Sequence, residues 1–373
     1  MDPVTHVTTG VVLSQLLPAP SRGWAALAGI LFALLPDVDY FLLAVDRLSF
    51  IRHHRGFTHS LLAVPLFALL GAGVGRALGG PRWFRPLFFL GLAVLASHLF
   101  LDLATSFGTQ IFSPLSRRKA ALDWVFIIDP YLTLFVATGA AAAWFLPAWG
   151  RQVGAVCLAA AGAYMLLCGL YNHQALALAR QVFHHGAAEK NPGAPSGSKG
   201  LGRGWQLFPE KSGAIKVAAF PQPFSCRRWH LIASGPQGIR QTFVELPYLA
   251  PMGMTPEVKR AQAITIPPGR DCRAPGGAYH PPQELVMQSL NGVLPDLRKF
   301  PPEARRILEE YLEFARFPLL YRAKPLGEGQ VLEWLDLRFS VPGRTFPFVL
   351  RLHLDGGGRL QNWLLGRCQV GEN

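Results

Sequence analysis

The chain has 373 residues, half of them hydrophobic and 16% charged, with a formal net charge of +13. Its basic residues are scattered, with no lysine run and no basic stripe interleaved with aromatics, so the charge argues against a nucleic-acid partner and for a face beside anionic lipid. The five cysteines, Cys157, Cys168, Cys226, Cys272 and Cys368, are odd in number and form no C-x-x-C pair, so neither a disulfide framework nor a cysteine zinc site is indicated.

Charge divides the chain in two. No lysine precedes Lys119 and no glutamate precedes Glu189; only eleven of the 36 Lys and Arg and seven of the 23 Asp and Glu occur up to Asn172. The first part is lipid-like in composition, and the second resembles a soluble domain. Residues 1–20 make a poor signal peptide, because Asp2 stands where Lys or Arg is expected and the apolar run Gly10 to Leu17 is short, so a retained N-terminus is expected.

In chain order, Val4 to Leu17 is weakly apolar, carries His6, and reads as a poor span or a helix packed inside a bundle. Trp24 to Val45 is long enough to cross a bilayer but is interrupted by Pro36-Asp37-Val38-Asp39. Leu61 to Leu78, Leu87 to Phe107, Val125 to Phe145 and Val153 to Leu170 are further apolar spans. The fold class expected is an all-α membrane bundle of five to six helices over residues 1–183, a flexible linker over 184–204, and a small soluble α+β domain over 205–373. Arg47, Arg52 and Arg55 in one loop, Arg117, Arg118 and Lys119 in another, and the basic tail from Arg180 place these segments and the C-terminal domain in the cytoplasm, against one opposing loop with Arg76, Arg82 and Arg85. In the last domain a helix after Pro301-Pro302 buries Ile307, Leu308, Tyr311, Leu312 and Ala315. Leu335 to Phe339 and Leu350 to Leu354 alternate like strands, and Asp355-Gly356 turns the second toward Leu360 to Leu364.

The chemistry concentrates where polar groups are most expensive. His98 and Asp102 stand four apart within an apolar span, on one helical face turned into the bundle. Such a pair either holds a divalent cation or pins two helices through a His–Asp hydrogen bond. The run His53-His54-Arg55-Gly56-Phe57-Thr58-His59-Ser60 sits in the preceding cytoplasmic loop, and Asp37 and Asp39 lie in the later part of the first long span. One topology therefore brings these acids and histidines, with His6, to a single leaflet. Gly56 permits a tight turn, Thr58 is placed to cap a helix beginning near His59, and Arg55 suits a phosphate or carboxylate.

His6, Pro36-Asp37-Val38-Asp39, His54-Arg55-Gly56-Phe57-Thr58-His59-Ser60 and Ser97-His98-Leu99-Phe100-Leu101-Asp102 together resemble the YdjM-type inner-membrane proteins, a family described as metal-dependent hydrolases. The resemblance covers about residues 1–180. The order of ligands is also distantly similar to that of the zinc phospholipase C and single-strand nuclease superfamily, although no second His-x-x-x-Asp pair follows Asp102, so one or two ions are expected instead of three. The combined expectation is a multi-pass protein of a bacterial-type inner membrane that uses metal-activated water, zinc by preference, to hydrolyse a phosphoester or lipid-type ester at the cytoplasmic leaflet. His6, Asp39, His59, His98 and Asp102 are the expected ligands, Asp37 a bridging ligand or general base, and His54 and Arg55 the groups that meet substrate. Membrane lipid is the expected neighbour. The competing expectation is a non-enzymatic scaffold whose C-terminal domain binds a protein partner.

Overall fold

The computed structural model describes residues 1–146, 148–185, 215–235, 238–248, 258–263, 278–290 and 296–367. They form two compact units, one of Met1–Val45 with His53–Leu170, the other of Asp46–Arg52 with Tyr171–Asn373. The division falls inside the region expected as one helical domain, and residues 186–204 of the expected linker lie outside the described residues.

The helices in chain order are α1 (Pro3–Leu16), α2 (Arg22–Leu34), α3 (Leu42–Val45), α4 (Arg47–His53), α5 (Ala63–Gly79), α6 (Phe84–Leu103), α7 (Pro130–Phe145) and α8 (Gly150–His185). Five or six membrane helices are expected, and the helical character of the region is as expected. Among the described residues two stretches are long and apolar enough to cross a bilayer, Pro81–Leu103 and Gly150–Phe183, and the number rises to four if each of two bent pairs counts as one span; Pro130–Phe145 is a shorter apolar helix. In one pair, Arg22–Leu34 bends by 47° into Pro36–Val45. Pro36 supplies the break, since proline offers no N–H to the helix and its ring crowds the preceding turn; a 3₁₀ turn, Pro36–Phe41, carries the chain onward. α7 has only 16 residues because Asp129 starts it late, accepting from the backbone N–H groups of Tyr131 and Leu132 at 3.0 Å each.

Within this unit α1 packs on α2 and α7, α2 on α6, and α5 on α6. Gly10 and Gly29 set the α1–α2 approach: a Cβ at either would stand 2.5 Å from the other's carbonyl oxygen, a distance that no side chain tolerates. That closeness brings His6 to the face of α6 that carries His98 and Asp102.

The second unit contains β1 (Lys216–Pro221), β2 (Arg228–Gly235), β3 (Gly238–Glu245), β4 (Val258–Ala263), β5 (Leu285–Leu290), α9 (Pro302–Phe314), β6 (Pro318–Leu326), β7 (Gly329–Asp336), β8 (Val349–Leu354) and β9 (Leu360–Gly366). One sheet runs β1-β2-β3-β5-β4, antiparallel except for β4 on β5; the other is an antiparallel meander, β6-β7-β8-β9. Phe220, Ile232, Phe317, Leu335 and Val349 join both sheets in one core. Trp229, Leu231 and Ala233, one residue out of phase with Ile232, share a second core with Tyr171, Ala175, Leu178 and Phe183 of α8. The expected helix is α9, with Ile307, Leu308, Tyr311 and Leu312 buried, and the expected hairpin is β8-β9. The strand expected through Phe339 ends at Asp336, where the Asp336 carboxylate accepts from the Arg338 N–H and a 3₁₀ turn begins.

Candidate metal centre

His98 and Asp102 share one face of α6, at most 1% exposed, and everything else in the site is built against them. α2 stops at Leu34, leaving the carbonyl of Ala33 among the last that have no partner within the helix. His98 Nδ1 lies 2.8 Å from that oxygen, which can only accept, so Nδ1 carries the proton and Nε2 presents a lone pair. Beyond the bend, the 3₁₀ turn directs Asp37 and Asp39 to different places. Asp37 Oδ1 approaches His59 Nε2 at 3.4 Å and His98 Nε2 at 3.8 Å. Asp39 turns to the loop at 54–59, where Oδ1 meets His54 Nδ1 at 2.8 Å and Oδ2 accepts from the Arg55 backbone N–H at 2.9 Å and Thr58 Oγ1 at 3.2 Å.

That loop holds its shape through two backbone features. Arg55 has φ 59°, the left-handed region that non-glycine residues seldom adopt. A side chain at Gly56 would place its Cβ 2.6 Å from the His53 carbonyl oxygen. Thr58 does not cap a helix at His59, as the sequence leads one to expect. Phe57–His59 is a short 3₁₀ turn, the next helix starts at Ala63, and Ser60 Oγ accepts from the Ala63 N–H at 3.1 Å. Having given its own proton to Asp39, Thr58 Oγ1 accepts from His59 Nδ1 at 2.9 Å, so His59 also presents a bare Nε2.

Asp37, His59, His98 and Asp102 thus offer one ligand atom each, all within 4.8 Å of one another. The two imidazole Nε2 atoms stand 3.2 Å apart. Asp102 Oδ2 is 3.1 Å from His59 Nε2 and 3.4 Å from His98 Nε2. Around a zinc ion with bonds of ~2.0–2.1 Å, tetrahedral geometry puts neighbouring donors about 3.4 Å apart; the five spacings that involve an imidazole nitrogen run from 3.1 to 3.8 Å. Asp37 Oδ2 and Asp102 Oδ2 are buried and make no hydrogen bond. Asp102 Oδ2, buried and without a hydrogen bond, faces two imidazole lone pairs with Asp37 Oδ1 close by, an arrangement that a divalent cation satisfies and a hydrogen-bond network does not. The residues fit a metal.

The remaining expected residues surround this donor set. His6 stacks on His98, with ring centroids 3.7 Å apart, and its Nε2 lies 3.3 Å from Asp102 Oδ1. It stands outside the four-residue group, as Asp39 does. Arg55 Nη2 pairs with Asp102 Oδ1 at 2.8 Å, and Arg55 Nη1 donates to the Asp102 carbonyl at 3.2 Å and to Thr105 Oγ1 at 2.8 Å. The Met1 amino nitrogen also donates to Asp102 Oδ1. Cationic partners therefore gather on Oδ1 and leave Oδ2 to the donor cluster. Thr105 and the Ala33 carbonyl are the supporting groups that residue types alone do not single out; the only signal for Thr105 is its position one turn beyond Asp102 on the same face.

The YdjM inner membrane protein family matches residues 1–176. A Bacillus subtilis (strain 168) protein called "Uncharacterized protein YfhP" is 30% identical over 180 residues, which are 46% of this chain and 53% of that protein. "Inner membrane protein YdjM" of Escherichia coli (strain K12) is 38% identical over 120 residues, 28% of this chain and 58% of its own, and the protein of the same name from Shigella flexneri matches equally. The chain thus spans somewhat over half the length of these curated relatives. No solved structure matches. The family and the apolar helices together support an inner-membrane location.

Proposed function

We propose that residues 1–176, which match the YdjM inner membrane protein family and assemble this donor set, are a metal-dependent hydrolase acting on a phosphoester or lipid-type ester at the cytoplasmic leaflet. The observation that carries the reading is the convergence of two imidazole nitrogens with two carboxylates, each of which has one buried oxygen without a hydrogen-bond partner. Asp37, His59, His98 and Asp102 would hold the ion, and the mixed nitrogen and oxygen donors favour zinc. When bound, such an ion supplies Lewis acidity and lowers the pKa of a water molecule.

The chain's own residues have distinct tasks. His54, held through Nδ1 by Asp39, is a His–Asp pair beside the donor cluster and suits proton transfer at its Nε2. Arg55 offsets the charge of Asp102 and keeps positive potential near an anionic head group. Asp39 fixes His54, the Arg55 backbone and Thr58, and through Thr58 sets the tautomer of His59. The arginine-bearing loops support the cytoplasmic assignment of the site and of the C-terminal domain.

The test uses the purified full chain in detergent, with metal content measured by mass spectrometry and turnover measured on chromogenic phosphomonoesters and phosphodiesters. One equivalent of zinc, with turnover abolished in His59→Ala, is expected. A chain without stoichiometric metal would sink the reading. If His59→Ala kept the cellular role while deletion of residues 205–373 removed it, a scaffold that binds a protein partner through its C-terminal domain would be favoured instead.

A further inference from the structure

Of the four donor residues, only Asp37 is reachable from outside: its side chain is 12% exposed, against 0–1% for His59, His98 and Asp102. Whatever reaches the cluster passes Asp37, so the surface around it selects the ligand. That surface is a groove of about 520 Å³ whose lining includes Leu31, Leu34, Leu35, Val38 and Tyr40, with Asp37 as its one charged member. The volume falls within the ~300–1,000 Å³ usual for small-molecule sites.

Leu31, Leu34, Leu35 and Val38 follow the i, i+3, i+4, i+7 spacing of a helical stripe carried across the Pro36 bend, a pattern that ordinarily marks a packed core. Here Leu31 is 60% exposed and Val38 59%. Phe41 and Val45 continue the exposed apolar face at the same spacing along the bent pair of helices, a surface suited to hydrocarbon. A water-soluble ester would reach Asp37 only over this apolar surface, whereas a membrane amphiphile arrives with its tail already there.

We infer that the groove binds the hydrocarbon chain of the substrate, which makes the substrate a tail-bearing membrane amphiphile with a phosphate ester at its head. The inference rests on the hydrolase reading for what happens at the head group. The tail lies along Leu31, Leu34 and Val38, and the head reaches the donor set beside Asp37.

The experiment uses full-length, zinc-loaded protein in detergent and a hexadecyl phosphate bearing a diazirine at the tail end, with adducts mapped by peptide mass spectrometry. Adducts should concentrate within residues 31–40 over the exposed apolar face of α5 at Leu66, Leu69 and Leu70. In Leu31→Trp/Leu34→Trp they should fall to the α5 level while zinc content stays at the wild-type value, and the milder Val38→Phe should give an intermediate loss. Adducts spread evenly over both faces, or unchanged in the filled variants, would overturn the inference and leave the hydrolase reading intact. Groove labelling in a protein that binds no zinc would sink the hydrolase reading and leave the tail site standing.

Discussion

Asp102 and Asp336 are both buried at 1% exposure, one in each unit, and their surroundings could hardly differ more. Asp336 is enclosed by donors: Oδ1 accepts from the backbone N–H of Phe317 and of Arg338, and Oδ2 accepts from that of Arg316 and pairs with Arg338 Nη2 at 2.9 Å. Asp102 has donors on Oδ1 only, and its Oδ2 faces two imidazole lone pairs. A buried carboxylate with a donor at every oxygen is a structural device, as the 3₁₀ turn after β7 shows. One whose free oxygen faces other acceptors is a place for a cation. Burial alone does not separate the two cases; the count of protons available to each oxygen does.

The contrast can be broken from either side. His98→Ala removes a donor and should abolish stoichiometric zinc, read by mass spectrometry, without lowering the thermal stability of the C-terminal unit. Arg338→Met should do the reverse. Leaving Asp336 as a buried, partly unpaired charge is expected to cost about 3–5 kcal/mol of that unit's stability, visible in denaturant unfolding, with zinc content unchanged.

A third prediction concerns pH. His230 is fully buried between Phe220 and Phe243 with Nε2 on Gln241 at 2.9 Å, and burial pushes its pKa down to about 4. Its folded pKa lies below its unfolded one. Between those values the unfolded chain takes up a proton that the folded chain refuses, so stability is lost as pH falls from the ordinary histidine range toward 4. The ceiling is about 3 kcal/mol, from ~1.36 kcal/mol per pKa unit. His230→Gln should remove this part of the acid sensitivity in denaturant titrations at several pH values. The smallest effect is expected for Asp39→Asn, which loosens the support of His59 without removing a donor; zinc affinity should fall by about 10–100-fold and not vanish.

Much of the architecture can be read from residues. The charge divide, the apolar α6 with His98 and Asp102 on one face, the stripe of α9 and the β8-β9 hairpin all follow from periodicity. The shape of the first long span is only half legible: Pro36 marks an interruption in Trp24 to Val45, but its size, a bend of 47°, depends on packing that the sequence does not show. The division of labour between Asp37 and Asp39 depends on the same bend: two residues apart in a 3₁₀ turn they point to opposite supports, one to His59 and His98, the other to His54 and Thr58. The role of Thr58 likewise depends on where the helix restarts, which Ser60 decides at Ala63.

The central claim, that four side chains converge on one cation, is tested most directly by anomalous diffraction at the zinc edge from crystals of the zinc-loaded protein. A single peak within bonding distance of Asp37, His59, His98 and Asp102 is the result expected. Zinc bound at other side chains, with no peak among these four, would contradict it.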